Sequence, residues 1–270
     1  MVRPYGVKGL KRKKKEKYAE EEIEQKLEEV EAEAPMKKAK TEDEDETELG
    51  GIPISITDQK AKPGVIFILE RASLEVAKVG KGFQLLSSDE HATFIKRSKK
   101  NPADYRPDIA HQAILAIFDS QLAKAGRLKA VFVRTEGNNL IEIKPHVRIP
   151  RTYKRFCGLM LELLQKLTIT AAGTREKLMK MVKNPVTQYL PLNSRKIGFS
   201  VSSEKLVDMH DYVTTVPDDM DLVFVVGAMS HGKVDDHYVE DYLSISSYPL
   251  SAACCIATIC GALQRKWKIL

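Results

Sequence analysis

Two stretches of the chain carry nearly unbroken apolar residues of strand length. Residues 64–70 read Gly-Val-Ile-Phe-Ile-Leu-Glu, and residues 221–226 read Asp-Leu-Val-Phe-Val-Val. A half-wet strand alternates apolar and polar positions, so an unbroken run predicts a strand covered on both faces. Between these runs the period changes. Residues 108–124 have helical spacing, with Asp108 placed to cap the start and Gly126 to end it. Residues 128–134 and 140–143 read as two strands joined by a turn at Gly137-Asn138-Asn139. Phe156, Met160, Leu163, Leu164 and Leu167 then recur at a helical interval, which predicts an amphipathic helix over residues 152–167. Beyond the second apolar run, Gly227 opens a loop and residues 243–246 form a short strand-like run. Small and apolar residues from 252 to 264 predict a last helix. Strands alternating with helices specify an α/β fold with a mostly parallel sheet.

The first part of the chain has a different character. Residues 11–15 are a basic cluster, residues 20–33 an acidic helix-prone stretch, and residues 42–48 an acidic block. Such segments bury too little apolar surface to offset their ordering entropy. Residues 1–58 are therefore expected to be a charged, disordered tail, and residues 59–270 the folded domain. The basic cluster fits a nuclear localisation signal or a solubilising tail equally well.

Separating the tail changes the electrostatic picture. The net charge is +6, but residues 1–51 carry 12 Lys/Arg against 15 Asp/Glu. Residues 52–270 therefore hold 31 against 22, a net +9, which points to a polyanionic partner. No apolar run approaches the roughly 18 residues that span a bilayer, and no apolar stretch follows the first basic residues as in a secretory signal. A soluble, reducing compartment is expected, with no membrane partner. Cys157, Cys254, Cys255 and Cys260 form no C-x-x-C pair, so they are expected to be small buried hydrophobes rather than metal ligands.

Four constellations carry candidate chemistry. Gly227-x-x-x-x-Gly232-Lys233 has the spacing of a phosphate loop and follows a buried strand. It fails at Val234, where Ser or Thr would hold magnesium, and Asp235 and Asp236 oppose a phosphate. What remains is a glycine-bearing loop at the carboxyl end of a strand, which fits equally an ordinary tight turn or the place where open α/β sheets bind ligands. Ser244-Ile-Ser-Ser-Tyr-Pro-Leu-Ser-Ala252 is a second such loop, in which Pro249 fixes a turn and small residues permit close backbone approach. Arg148, Arg151, Lys154 and Arg155 crowd one helix start without compensating acids, which fits a surface gripping RNA phosphates or stacking on unpaired bases, the alternative being an ordinary solvated charged face. In Arg106-Pro-Asp-Ile-Ala-His-Gln112, Asp108 can both cap a helix and hold Arg106, while His111 reads as a polar first-turn residue.

Taken in order, these motifs resemble one family. They are Arg106-Pro-Asp-Ile-Ala-His-Gln112, Arg148-Ile-Pro-Arg151 with Arg155-Phe-Cys-Gly-Leu-Met160, Lys183-Asn-Pro185, Val225-Val-Gly-Ala228 with His231-Gly-Lys-Val234, and the run from Ser244 to Ala252. Together they resemble the ribosomal pseudouridine N1-methyltransferases, also called nucleolar essential proteins, from about residue 64 to the C-terminus. The resemblance implies a SPOUT fold whose C-terminal segment threads a deep trefoil knot, and S-adenosyl-L-methionine (SAM) as methyl donor. The implied SAM residues are Phe199, Gly227, Gly232, Ile245, Ser246, Ser247, Tyr248, Pro249 and Leu250. On the substrate side it implies Arg106 and Asp108 as the catalytic pair and Arg106, Arg148, Arg151 and Arg155 as RNA contacts, with no metal. It further implies a homodimer, small-subunit rRNA and small-subunit pre-ribosome assembly factors as partners, and a nuclear, nucleolar location. A non-catalytic RNA-binding assembly factor is the competing function. Two positions depart from the family pattern: Ala110, where Thr is frequent, and Gln121, where Pro commonly follows Asp-Ser.

Overall fold

A computed structural model describes residues 62–173, 175–234 and 237–269 of the chain. The charged N-terminal segment and its expected boundary at residue 58 lie outside the described residues, as do Asp235 and Asp236. The described strands are β1 (Val65–Ala72), β2 (Val76–Val79), β3 (Gly82–Leu85), β4 (Leu128–Thr135), β5 (Leu140–Ile143), β6 (Thr168–Thr170), β7 (Lys177–Val182), β8 (Ser194–Phe199), β9 (Asp221–Gly227) and β10 (Asp241–Leu243). The helices are α1 (Ser88–Arg97), α2 (Pro107–Phe118), α3 (Gln121–Lys124), α4 (Tyr153–Lys166), α5 (Met209–Thr215) and α6 (Ala252–Lys266).

Eight strands form one sheet in the order β10-β8-β9-β1-β4-β5-β7-β6. The five from β10 to β4 run parallel, while β5, β7 and β6 extend the sheet antiparallel. The two apolar runs are the central neighbours β1 and β9, paired from Val65 with Leu222 to Glu70 with Gly227. Their alternate residues serve two cores. Val65, Phe67 and Leu69 face a helical layer that includes Ala113, Ile114 and Ile117 of α2, Phe156 and Met160 of α4, and Ile256 and Ile259 of α6. Ile66 and Ile68 face the other side, packed with Phe132, Val223 and Val225 under residues such as Val186, Tyr189 and Val239. One face is thus covered by helices and the other by connecting segments. Truncating Phe67, which is 1% exposed, to alanine would cost about 3–5 kcal/mol.

Two expectations are corrected here. The helix predicted over residues 108–124 is broken after Phe118. Ser120 intervenes, donating its hydroxyl to the Ile117 carbonyl at 2.6 Å and accepting from the Ala123 amide at 3.2 Å, and so starts α3 as its N-cap. Gln121 is thereby the first residue of a helix, a position that suits proline because the amide there needs no intrahelical partner. The cysteines are not uniformly buried either: Cys255 and Cys260 are, Cys157 is half-buried, and Cys254 is exposed on α6. Burial pushes the Cys255 thiol up to about 12 and that of Cys260 to about 11, so neither is a ready thiolate. Among the described residues, no helix is long and apolar enough to cross a membrane.

Candidate functional site

The carboxyl ends of β8, β9 and β10 open into a common cavity of about 230 Å³. Three chain segments build it. Phe199, Ser200 and Val201 follow β8, residues 226–234 bring Gly227 and Gly232 from the end of β9, and residues 243–250 follow β10. Ala252 and Cys255 of α6 close the remaining side. Parallel strands send all their carboxyl ends to one side, so three loops distant in sequence converge there.

Each wall has a local reason for its shape. Gly227 is closely packed, since a Cβ there would lie 3.0 Å from Cε of Met229 and 3.2 Å from Cγ2 of Val234, and those side chains would have to give way. Gly232 has φ 119, a conformation L-residues rarely adopt, and an added Cβ would overlap the guanidinium of Arg71. On the third wall, buried Ser244 donates its hydroxyl to the Ser246 carbonyl at 2.8 Å. The Ser246 hydroxyl accepts from the Tyr248 amide at 3.0 Å. Ser251 then caps α6, accepting from the Cys254 amide at 3.2 Å. The serines therefore fold the loop back on itself and keep it compact.

Of the residues implied for SAM, Phe199, Gly227, Gly232, Ile245, Ser246, Tyr248, Pro249 and Leu250 all line this cavity. Ser247 is not among the lining residues. The lining carries no Asp, Glu, Lys or Arg among the described residues. Lys233 is exposed and off the wall, and residues 237–240 lead by turns into β10 rather than a helix. A polyphosphate would meet no lysine or arginine among the described lining residues, although the first turn of α6 borders the cavity at Ala252. Backbone amides and carbonyls flanked by aliphatic side chains suit an adenosine moiety instead. The residues present fit SAM on this chemistry.

A second group assembles where α2 and α4 begin. Arg106 precedes α2, and its guanidinium meets Asp108 through two bonds, Nε to Oδ1 at 2.8 Å and Nη2 to Oδ2 at 2.7 Å. Asp108 therefore does not cap the helix through its side chain. Arg106 occupies the N-cap position, and Asp108 sits in the first turn. The guanidinium, joined by backbone N–H groups of Asp108 and Ile109, holds the Asp108 carboxyl below its ordinary range. It is a fixed anion with little appetite for a proton.

His111, one turn further on, is buried rather than a wet first-turn residue. Its Nε2–H donates to the Pro150 carbonyl at 2.8 Å, and its ring stacks on Phe156 with centroids 4.5 Å apart. That bond ties the segment carrying Arg148 and Arg151 to α2. Arg148, Arg151, Lys154 and Arg155 are all exposed. The absence of neighbouring acids is corrected in one instance: Arg151 meets Asp119, at the end of α2, at 3.2 Å. The Arg151 side chain is 80% exposed, so this pair contributes little energy and leaves the guanidinium available.

Arg106 and Asp108 line neither cavity described for their own chain. The link between them and the first cavity comes from Ser230 and His231, whose contacts the motif pattern does not announce. Ser230 donates its hydroxyl to the Ala103 carbonyl at 2.9 Å, and His231 Nε2–H meets Asp104 at 2.7 Å. The loop walling the cavity is thus tied to the segment that runs into Arg106. A further cleft of about 710 Å³, lined in part by Arg71, Tyr105, Glu136 and Asn139, shares Met229, Ser230 and His231 with the first. Arg71, at φ 57, holds Glu136 through two bonds of 3.0 and 2.9 Å. A non-glycine residue in that conformation is a backbone feature that residue type alone does not announce.

Comparison with known proteins places this arrangement. The sequence profile described as EMG1/NEP1 methyltransferase matches residues 67–264. The chain is 46% identical over 206 residues to the ribosomal RNA small subunit methyltransferase NEP1 of Mus musculus, covering 76% of this chain and 83% of that protein. It is 47% identical over 203 residues to the corresponding nep-1 protein of Caenorhabditis elegans, covering 75% and 87%. Its fold is similar to the crystal structure of Archaeoglobus fulgidus Nep1 bound to S-adenosylhomocysteine, with a TM-score of 0.63 at 22% identity over 76% of this chain and 99% of that one. The chain belongs to the EMG1/NEP1 methyltransferase family.

Proposed function

We propose that this protein transfers the methyl group of SAM to N1 of a pseudouridine in small-subunit ribosomal RNA. The observation that carries the reading is the convergence of the glycine loop after β9 and the serine loop after β10 on one cavity, whose described lining has no Asp, Glu, Lys or Arg. Family membership supports methyl transfer to ribosomal RNA, and the basic corner supports an RNA partner.

In pseudouridine the base is joined through carbon, so N1 carries a hydrogen and is a weak nucleophile until that proton leaves. When bound, SAM would supply a sulfonium-activated methyl, which the N1 lone pair would take as the carbon–sulfur bond broke toward sulfur, the N1 proton passing to solvent water. The protein's task is to hold the extruded base in line and to favour negative charge on its ring. Arg106, clamped by Asp108, offers a fixed positive charge for that purpose. The depressed Asp108 carboxyl orients the arginine rather than accepting the N1 proton. Arg148, Arg151 and Arg155 grip RNA phosphates or stack on unpaired bases. Phe199 and Ile245 to Leu250, Ser247 included, are proposed SAM contacts together with Gly227 and Gly232.

The protein is further proposed to act as a homodimer. Val201, Tyr248 and Leu250 form an apolar rim around the cavity, with exposures of 55%, 76% and 39%. A second subunit seated on that rim would supply, across the interface, the charge that Arg106 does not bring to its own cavity. Residues 1–58 as a disordered appendage, the trefoil knot, small-subunit pre-ribosome assembly factors as partners and a nucleolar location complete the reading.

The test is calorimetry with S-adenosylhomocysteine, followed by mass analysis of a pseudouridine-containing RNA hairpin incubated with protein and SAM. Binding of the nucleoside together with transfer of one methyl supports the proposal. Binding without transfer overturns it in favour of an assembly factor.

A further inference from the structure

β2 and β3 stand apart from the main sheet as a two-stranded hairpin. A two-stranded ribbon is marginal by itself, and here one face anchors it. Ala77 and Val79 pack with Phe94, Ile95 and Leu86, fixing the hairpin on α1. The other face is buried only at its inner end, where Leu85 is 5% exposed. Towards the tip the same face carries Phe83, 54% exposed, with Lys78 directly across from it in register. Gly80, at φ 64, takes the first position of the two-residue turn and leaves Lys81 exposed beside it.

An exposed phenyl ring contributes little to the core, and nearby charge says what would cover it. Neither Lys78 nor Lys81 pairs with a carboxylate among the described residues. Lys96, Arg97 and Lys99 add exposed cations where α1 ends. The base of the hairpin also adjoins the basic corner. β3 packs against α4, and Ser87 lies beside the Tyr153 phenol in the turn that carries Lys154 and Arg155. A phenyl face flanked by free lysines fits unpaired nucleotides, whose bases stack on the ring while their phosphates meet the ammonium groups. An ordinary apolar protein partner would not be drawn to a surface with this charge.

We propose that the Lys78–Phe83 face of the hairpin, with Lys81, binds a single-stranded RNA segment beside the target stem-loop. The proposal rests on the RNA-methyltransferase reading and extends the RNA footprint beyond Arg148, Arg151 and Arg155. Phe83 stacks one base, and the two lysines neutralise phosphates of the same strand.

The test uses the full chain and fluorescence anisotropy with two RNAs: a blunt pseudouridine stem-loop, and the same stem-loop with an unpaired flank. The wild type should bind the flanked RNA more tightly. Phe83→Ala should weaken binding of the flanked RNA by on the order of tenfold and leave the blunt one unchanged. Phe83→Trp should restore tight binding, which separates stacking from any folding defect. Lys78→Ala with Lys81→Ala should lower the salt slope on flanked RNA by about 1.4, since each single-strand phosphate contact contributes about 0.7. Wild-type affinity of Phe83→Ala for flanked RNA, or an equal loss on both RNAs, overturns the proposal while leaving the methyltransferase reading intact. If the wild type binds neither RNA, both readings fall together.

Discussion

The cavity at the ends of β8, β9 and β10 is walled by serines, glycines, aliphatic side chains, Phe199, Tyr248 and His231, without a carboxylate, lysine or arginine among the described residues. The corner where α2 and α4 begin presents Arg106, Arg148, Arg151, Lys154 and Arg155, and Arg106 alone of these is not fully exposed. On the proposed reading, the first region recognises its ligand through backbone groups and shape, so its affinity depends on where the main chain can go. On the same proposal, the second recognises RNA through charge on long side chains, so its affinity depends on ionic strength. Ligand binding at the two should therefore respond to different perturbations, and that separability is what the comparison teaches. Nucleoside binding should be nearly indifferent to salt, whereas RNA binding should weaken steeply as salt rises.

The perturbation expected to act most strongly is at the backbone. Gly232→Ala places a Cβ at φ 119 against Arg71, with strain of about 1–3 kcal/mol. Calorimetry should show binding of S-adenosylhomocysteine reduced at least on the order of tenfold, with RNA affinity retained. Equal loss of both ligands would show the two regions to be one unit. The complementary variant, Arg148→Ala with Arg151→Ala and Arg155→Ala, should lower the salt slope of RNA binding by about 2. Its nucleoside affinity should not change, and an unaltered slope would return the arginines to an ordinary solvated face.

A smaller effect is expected where the comparison is least clean, at Asp108. Asp108→Asn keeps the shape but loosens the clamp on Arg106. Turnover on a pseudouridine hairpin should fall by about tenfold or more through misplacement, with nucleoside binding unaffected. Full activity in that variant would remove the orienting role. The smallest effect is in pH dependence. Arg106 lowers the folded Asp108 carboxyl below its ordinary value. The pair's stabilisation is therefore fully present above the unfolded carboxyl value of about 4, and is lost only as pH falls through the lower folded one. Between pH 6 and 8 the rate should carry no limb due to Asp108, and a limb there that vanished in Asp108→Asn would contradict the assignment.

The same contrast between backbone and charge explains what could be read in the chain. β1 and β9 were legible because burial on both faces leaves an unbroken apolar run. α4 was legible because only one of its faces is buried, at Phe156, Met160 and Leu163. β8 was not anticipated, since Ser-Arg-Lys-Ile-Gly-Phe has no clear period. It is a strand because β9 and β10 pair on either side of it, a tertiary cause absent from local pattern. The hairpin of β2 and β3 escaped for a related reason, being short and anchored mainly through α1. The break at Ser120 depends on a hydroxyl serving two backbone groups, which helical spacing cannot reveal. Within the site, motif order supplied eight cavity residues but not the Ser230 and His231 ties to residues 103 and 104, because contacts between distant loops follow strand order. Arg106 and Asp108 were legible as neighbours two residues apart, though the guanidinium took the carboxylate that the helix start was expected to use.

The most direct measurement is methyl transfer from SAM to two hairpins that differ at one position, pseudouridine in one and uridine in the other, with the modified nucleoside identified by mass and fragmentation. The pseudouridine hairpin should gain one methyl at N1, and the uridine hairpin none, because uridine N1 is already bonded to ribose. Equal methylation of both hairpins, or methylation of the pseudouridine at another atom, would contradict the account.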